Sequence, residues 1–165
     1  MKRKHWLLFL LGFVLTGMVV NACKKNNETT VPLLFTRGKW QLASVVVTIT
    51  KGSTTVLDTL NTTCDSTQLF TFNTNNTCTY TNFDCKPQVS NGSWSLSQDQ
   101  LTLVADMTCK DTTAVGTSKP FINAQIVNMG QYSMVLQTGD YNVIPTSTNS
   151  TRTVRWGFVR QKTIN

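Results

Sequence analysis

The chain has 165 residues, of which 14% are charged and 40% are apolar. This length predicts one domain, and the charge is sparser than the roughly one quarter usual in soluble domains. Threonine, serine, asparagine and glutamine fill the difference, which excludes a long helix or coiled coil. Because charge is low and aromatic residues make up 9%, disorder is disfavoured as well. The composition therefore predicts a sheet protein.

The first 23 residues carry the features of an export signal. A basic start precedes an apolar run over 6–20, which is too short for a membrane-spanning helix of about 20 residues but fits a signal peptide. The tripeptide Asn21-Ala22-Cys23 follows, and the basic start consists of Lys2, Arg3 and Lys4. A cysteine directly after a small residue resembles a bacterial lipoprotein signal, in which residues 1–22 are removed and Cys23 is lipidated. Ordinary secretion with a free Cys23 is the alternative.

A lipoprotein signal implies a location in the cell envelope. A cysteine that carries two or more acyl chains, such as palmitate, anchors a protein stably without spanning the bilayer. We expect the outer membrane, with the protein facing the periplasm or the surface, and a polar tether over 23–34. Removal of the signal lowers the basic residues from 15 to 12 against 8 acidic ones, so the net charge falls from +7 to +4. The remaining basic residues are scattered, which excludes a nucleic-acid interface.

Short alternating segments separated by turn residues follow Gly38. We predict nine strands, over 40–50, 54–60, 67–72, 77–83, 93–96, 101–105, 121–127, 133–137 and 151–160. Only the connections over 109–120 and 139–150 are long. Consecutive hairpins predict a single antiparallel up-and-down β-barrel of about eight or nine strands. The interior of a barrel of this size is filled by side chains or holds one small ligand.

Two registers are open for the hairpin around the turn over 73–76. Phe72 pairs with Thr77 in the first register. In the second, Asn76 is a left-handed bulge residue and Phe72 faces Cys78, which gives a better apolar face. The choice sets which side chains point inward.

The cysteines predict disulfides in an oxidising compartment. Five are present, and setting Cys23 aside leaves four, which can form two bridges. Both hairpin registers bring Cys64 and Cys85 within one residue of facing each other, so we predict this bridge. Cys78 and Cys109 remain to pair with each other, and two other pairings stay open. No Cys-x-x-Cys pair indicates a zinc site.

Three motifs in order carry a family resemblance: Gly38-Lys39-Trp40, the hairpin segment over 72–77, and Gly92-Ser93-Trp94. The chain resembles the lipocalin-like lipoproteins of Bacteroidota-type bacteria over about residues 33–161. The resemblance implies a lipocalin-like barrel domain over 35–163, in which Trp40 closes the bottom and Arg160 stacks on it. The helix that follows the last strand in typical lipocalins is not evident, so a fatty-acid-binding-style or truncated barrel is an alternative.

Histidine chemistry is excluded from the mature chain, because the only histidine is His5 in the signal. This excludes a Ser–His–Asp triad, a Cys–His pair and a histidine metal site. A glycosidase-like carboxylate pair, Asp65 with Asp84, is the remaining catalytic candidate, but solvated turn residues are the simpler interpretation. We therefore expect no enzyme, no metal and no cofactor.

Aromatic residues carry the remaining functional signal. Six are candidates for lining a ligand cavity, with Arg155 or Gln125 as polar anchors: Phe70, Phe72, Tyr80, Trp94, Trp156 and Phe158. The alternative is that these side chains fill a solid core. The first hypothesis gives a membrane-anchored protein that binds a small apolar ligand. The second gives an interaction module, for protein binding or enzyme inhibition, that acts through the loops 109–120 and 139–150.

Overall fold

The computed structural model of the chain describes residues 30–60, 62–112 and 115–162. The signal peptide expected over 1–22, the lipidated Cys23 and the tether up to residue 29 lie outside these residues. Within the described residues, no helix is long and apolar enough to cross a membrane.

Eleven strands account for most of the described chain, as the composition predicts. Their bounds are Lys39–Lys51 (β1), Thr54–Leu60 (β2), Leu69–Phe72 (β3), Thr77–Thr81 (β4), Val89–Leu96 (β5), Thr102–Met107 (β6), Cys109–Lys110 (β7), Thr117–Ser118 (β8), Ala124–Met129 (β9), Ser133–Gly139 (β10) and Ser150–Arg160 (β11). All nine predicted strands are present, with ends shifted by up to four residues. The two-residue strands β7 and β8 pair with each other inside a loop and were not predicted.

Eight of these strands close into an antiparallel barrel. The sheet order is β11-β10-β9-β6-β5-β4-β3-β1-β2, and β11 also pairs with β1 along the full length of both strands. Strand β2 pairs only with the second half of β1, so it lies beside the closed barrel as an extra strand. The prediction of a single up-and-down barrel is confirmed, and the strand number is that of lipocalins.

The antiparallel order defines two ends of the barrel. The end where β1 begins and β11 finishes is called the closed end; it also carries the turns over 73–76, 97–101 and 130–132. The opposite end is called the open end. It carries the β1–β2 turn and the connections over 82–88, 108–123 and 140–149.

A short helix covers the closed end. Helix α1 spans Val31–Thr36, with a proline in its first turn, and it buries Leu34 and Phe35. Residues 31–34 were expected to belong to the tether, but they form this helix. The reason is the pair of large apolar side chains, because their burial against the barrel offsets the cost of ordering the segment.

A bulge in β1 determines which of its side chains face the core. The pairing with β11 shifts between Leu42 and Ser44, and both Ala43 and Ser44 are exposed. Trp40 and Leu42 are buried before the bulge, and Val45 and Val47 after it. The extra residue therefore keeps the apolar positions on the core face of a strand that would otherwise turn them outward.

The hairpin and its disulfide agree with the sequence prediction. Phe72 faces Cys78, and Asn76 has a left-handed φ of 63°, so the bulged register is confirmed. Cys64 and Cys85 form a disulfide with a Cα–Cα distance of 5.3 Å. This bridge joins the segment between β2 and β3 to the open end of β4.

The predicted Cys78–Cys109 disulfide is wrong, because both cysteines are buried free thiols. Cys78 on β4 faces Gly92 on β5, and Gly92 faces Met107 on β6. The same register carried two residues further places Cys109 level with Ser90 of β5. Strand β5 therefore lies between the two thiols, and two strand spacings are about 10 Å. A disulfide requires Cα atoms within about 7 Å.

Candidate functional site

A tryptophan and an arginine fasten helix α1 to the barrel at the closed end. Trp40 is fully buried, and its indole Nε1 donates to the carbonyl oxygen of Phe35 at 3.0 Å. The guanidinium carbon of Arg160 lies 4.6 Å from the centroid of the Trp40 ring, the stacking that the resemblance implies. Nη2 of Arg160 donates to the carbonyl oxygen of Leu34 at 2.8 Å. A Cβ on Gly38 would lie 3.7 Å from the Arg160 side chain. Gly38, Trp40 and Arg160, the three residues expected at this closure, therefore lie together.

The barrel interior is a continuous column of aromatic rings. Ring centroids lie 4.7 Å apart for Phe35 and Phe72, and 4.1 Å apart for Phe72 and Phe70. The column continues through Phe121 at 5.0 Å from Phe70 and Trp156 at 5.2 Å from Phe121. All of these separations except that of Phe70 and Phe72 lie in the range of about 4.5–7 Å that favourable aromatic pairs adopt. The column therefore extends from helix α1 at the closed end to Trp156, towards the open end.

The side chains expected to line a cavity mostly fill this column instead. Exposures are 0% for Phe70 and Tyr80, 1% for Phe158, 2% for Phe72 and 6% for Trp94. A ligand-sized cavity would leave accessible surface on the side chains around it, so these five do not line one. These five side chains fill a solid core, which is the alternative that the sequence left open. Trp156 is the exception, since it is only partly buried.

Sequence reasoning missed three buried aromatic residues of the column. Phe35 lies in α1, in contact with Phe72 and Trp94. Phe83 lies in the open-end connection after β4, and Phe121 precedes β9. All three are outside regular strands, so alternation could not identify them. Their aromatic character was the one available signal.

Exposed apolar side chains continue the core face beyond the aromatic column, and Asp58, which faces Val47, lies between two of them on the same face. Ile49 of β1 faces Val56 of β2, and Val45 faces Leu60, so all four side chains share the core face. Val45 is 4% exposed, whereas Ile49, Val56 and Leu60 are 43%, 57% and 43% exposed. Ile49, Val56 and Leu60 are called the mouth strip. Val45 also faces Trp156 of β11, which places that partly buried ring beside the strip.

The polar anchors expected for a ligand do not face the interior. Arg155 faces Val46 on the outer face of the barrel and donates from Nε to Gln137 at 3.0 Å. Gln125 faces Gln137, so it also lies on the outer face. A buried polar group lies beside Trp156, at the end of the aromatic column that points towards the open end. It is the hydroxyl of Thr138, whose oxygen accepts a hydrogen bond from Nε1 of Trp156 at 2.9 Å.

Both long loops are at the open end, and each exposes large apolar side chains. Val115 in the first loop and Ile144 in the second are each 83% exposed, and Val143 is 46% exposed. The second loop is tied to the β1–β2 turn by a hydrogen bond from the Gly52 nitrogen to the Thr146 carbonyl oxygen at 2.9 Å.

The candidate carboxylates belong to the disulfide region. Asp65 is exposed, while Asp84 is partly buried and its backbone nitrogen donates to Oε1 of Gln68 at 3.1 Å. Asp84 and Cys85 both have left-handed backbone, with φ of 55° and 56°. In the residues that the structure describes, no three histidine, cysteine or acidic side chains are grouped to hold a metal.

The fold and the closure at its closed end together define the class of β-barrel to which this protein belongs. An eight-stranded up-and-down barrel whose closed end holds a stacked tryptophan and arginine belongs to the lipocalin type of β-barrel. A family model described as a lipocalin-like domain matches residues 36–136. The match covers more than half of the chain, and the chain belongs to this lipocalin-like family. No curated protein matches it.

Proposed function

We propose that this protein is a lipid-anchored protein of the cell envelope that binds a small apolar ligand at the open end of its barrel. The ligand contacts the mouth strip and Trp156. The anchor is the acylated Cys23, which the sequence over 1–23 supports by its resemblance to a lipoprotein signal. The barrel family supports the ligand class, since lipocalin-type barrels have the size to hold one small ligand.

The exposed core-face side chains carry this proposal. Ile49, Val56 and Leu60 lie on the same face as the buried valines of β1, but no protein side chain covers them fully. Burial of apolar surface yields about 25 cal/mol per Å². A ligand that covers the strip and the free part of Trp156 gains this free energy. The aromatic column below limits how deep the ligand can enter.

A second candidate function is favoured by the loops. Val115 and Ile144 are the most exposed large apolar side chains of the described residues. Both project from open-end loops, where a partner protein could bury them. This arrangement supports the interaction module, acting on a protein of the envelope. We propose no catalytic activity, since the mature chain has no histidine.

The test is a titration with N-phenyl-1-naphthylamine, a neutral apolar dye that fluoresces when it is buried. We expect saturable binding by the wild-type protein. Leu60→Ser removes an apolar side chain from the mouth strip and should weaken binding about fivefold, equivalent to about 1 kcal/mol. Leu57→Ser is the matched control, because Leu57 lies on the same strand but on the opposite face and is 69% exposed.

The outcomes separate the two functions. Loss of affinity in Leu60→Ser with an unchanged Leu57→Ser supports ligand binding at the strip. Equal affinities in both variants would move the site elsewhere, and no saturable binding by the wild type would leave the loop-mediated function. Mass spectrometry of the protein isolated from its envelope tests the anchor independently, because acylation adds a defined mass at Cys23.

A further inference from the structure

The described charges are unevenly distributed between the two ends of the barrel. The closed end carries Arg37, Lys39, Arg160 and Lys162 against the single acid Asp99. The remaining described basic and acidic residues are equal in number: Lys51, Lys86, Lys110, Lys119, Arg152 and Arg155 against Asp58, Asp65, Asp84, Asp106, Asp111 and Asp140. The net positive charge of the described residues therefore resides at the closed end.

The four cations of the closed end lie close together. Arg37 follows α1 directly, and Arg160 donates to the carbonyl oxygen of Leu34 in that helix. The backbone nitrogen of Gln161 donates to the carbonyl oxygen of Lys39 at 2.9 Å, so Lys39 and Lys162 are neighbours. Burial and the positive charge of Arg37 both lower the pKa of Arg160 below its ordinary value.

The one acid at this end is already engaged. The Asp99 carboxylate accepts hydrogen bonds from the Ser97 hydroxyl at 2.5 Å and the Leu101 backbone nitrogen at 3.0 Å within its own turn. Lys119 and Asp106 form an ion pair near the open end, and the four closed-end cations form none with the described residues. Four cations against one acid leave a net positive charge at the closed end, which attracts an external anion.

Exposed apolar side chains accompany these cations. Tyr132 is 70% exposed in the turn before β10, and the backbone nitrogen of Arg160 donates to its carbonyl oxygen at 2.9 Å. Leu33 of helix α1 is 38% exposed. An exposed tyrosine and leucine beside arginine and lysine is the combination that membrane interfaces favour, because the rings and stems enter the headgroup region while the charges meet phosphates.

The chain leads from this end to the proposed anchor. Thr30 precedes α1, and seven residue steps separate it from Cys23, which span at most about 25 Å when extended. Lys24, Lys25 and Glu28 lie in that short segment, which therefore adds one net positive charge near the anchor. An acylated Cys23 would therefore hold the closed end, rather than the open end, close to the bilayer.

We infer that the closed end is a membrane-docking surface that binds anionic phospholipid headgroups through Arg37, Lys39 and Lys162. The placement of this surface beside a bilayer rests on the proposed anchoring at Cys23. Docking orients the barrel with its open end away from the membrane, so the mouth strip and the long loops face the surrounding compartment.

The experiment uses the chain from residue 24, which carries no acyl group, so that binding reports only the protein surface. Sedimentation is measured with vesicles of pure phosphatidylcholine and with vesicles that contain 40% phosphatidylglycerol. Each cation near an anionic surface contributes about fivefold in the partition coefficient. The triple variant R37Q/K39Q/K162Q should therefore bind the anionic vesicles roughly 100-fold more weakly.

The matched control is K51Q/K110Q/R152Q, which removes the same charge from exposed residues of the open half of the barrel. We expect it to bind the anionic vesicles within about threefold of the wild type, and 0.5 M salt to abolish binding of both. Equal losses in the two triple variants would show a dependence on net charge alone and overturn the inference. Equal binding to the two vesicle types, or none, would also overturn it. None of these results tests acylation, which the mass of the isolated protein reports.

Discussion

Replacement of Trp40 tests the closure of the barrel most directly. The indole is fully buried, and Trp40→Ala removes the side chain that α1, β1 and β11 share. Large-to-small substitutions of buried tryptophan cost about 3–5 kcal/mol, because the transfer free energy is lost and a cavity remains. We expect the free energy of unfolding to fall by this amount, measured by urea denaturation.

Trp40→Phe separates the hydrogen bond from the packing. The variant keeps an aromatic ring but leaves the Phe35 carbonyl oxygen without the indole donor at 3.0 Å. A buried acceptor without a partner costs about 1–3 kcal/mol. We expect Trp40→Phe to lose about 1–3 kcal/mol, and protease cleavage near α1 to become faster, since the carbonyl is in that helix.

The control is Tyr132→Ala at the same end of the barrel. Tyr132 is 70% exposed, and substitutions at exposed positions usually change the free energy of unfolding by less than about 0.5 kcal/mol. A similarly small effect of Trp40→Ala would contradict the burial and the closure together. A large effect of both variants would mean that this end is packed differently.

Four further predictions concern the cysteines and one glycine of the barrel. The double variant C64S/C85S should lose about 3 kcal/mol, since the bridge closes a loop with a sequence separation of 21; an unchanged urea midpoint in non-reducing buffer would refute this. Gly92→Ala should lower the free energy of unfolding by roughly 1–3 kcal/mol, because the added Cβ would clash with the carbonyl oxygen of Asp106. Gly130→Ala is the control: its added Cβ has its nearest neighbour at 3.6 Å, so the loss should be less than about 0.5 kcal/mol. Cys78 and Cys109 should react with a thiol reagent only after unfolding, and a count of no thiols would show a bridge. Burial raises the pKa of the Cys78 thiol from 9.0 to about 11. Between about pH 9 and pH 11 the unfolded chain releases a proton that the folded chain keeps, so the free energy of unfolding should fall as the pH rises through this range. Cys78→Ala should reduce this fall, and a pH profile identical to that of the wild type would contradict the raised pKa.

The strands and one hairpin could be predicted because their information is local. Turn residues at 73–76 and the alternation of Phe70, Phe72, Cys78 and Tyr80 fix the register, since only one register points all four inward. The Cys64–Cys85 bridge follows from the hairpin itself, since both registers bring the two cysteines within one residue of facing each other. The nine-strand pattern then leaves few topologies, because short connections join neighbouring antiparallel strands.

The second cysteine pair could not be derived in the same way. Elimination paired Cys78 with Cys109, but it takes no account of the strand that separates them. The distance between β4 and β6 depends on the sheet order, in which β5 lies between these two strands. The order of strands in a sheet cannot be derived from local sequence patterns, so the pairing of these two cysteines stayed open at the level of the sequence.

Local sequence patterns also could not predict which side chains fill the barrel interior. Phe35, Phe83 and Phe121 lie in a helix and in connections, and periodicity has no rule for side chains there. These three rings nevertheless complete the column, since Phe121 contacts Phe70, Tyr80 and Trp156. Whether a small barrel is hollow or solid thus depends on what its ends insert, rather than on its strands alone.

Strand length explains how the proposed ligand site lies on a barrel whose interior is filled. Strands β1 and β11 have 13 and 11 residues, whereas β3 and β4 have four and five. The core face of β1 is buried up to Val47. Strand β1 continues for four more residues beyond Val47, a length of about 13 Å, and β2 pairs with it there. This extra length builds a wall on one side of the open end, with Ile49 and Val56 of the mouth strip on its inner face. A ligand held against one wall stays partly in water, so its affinity should depend on the apolar contacts of that wall more than on enclosure.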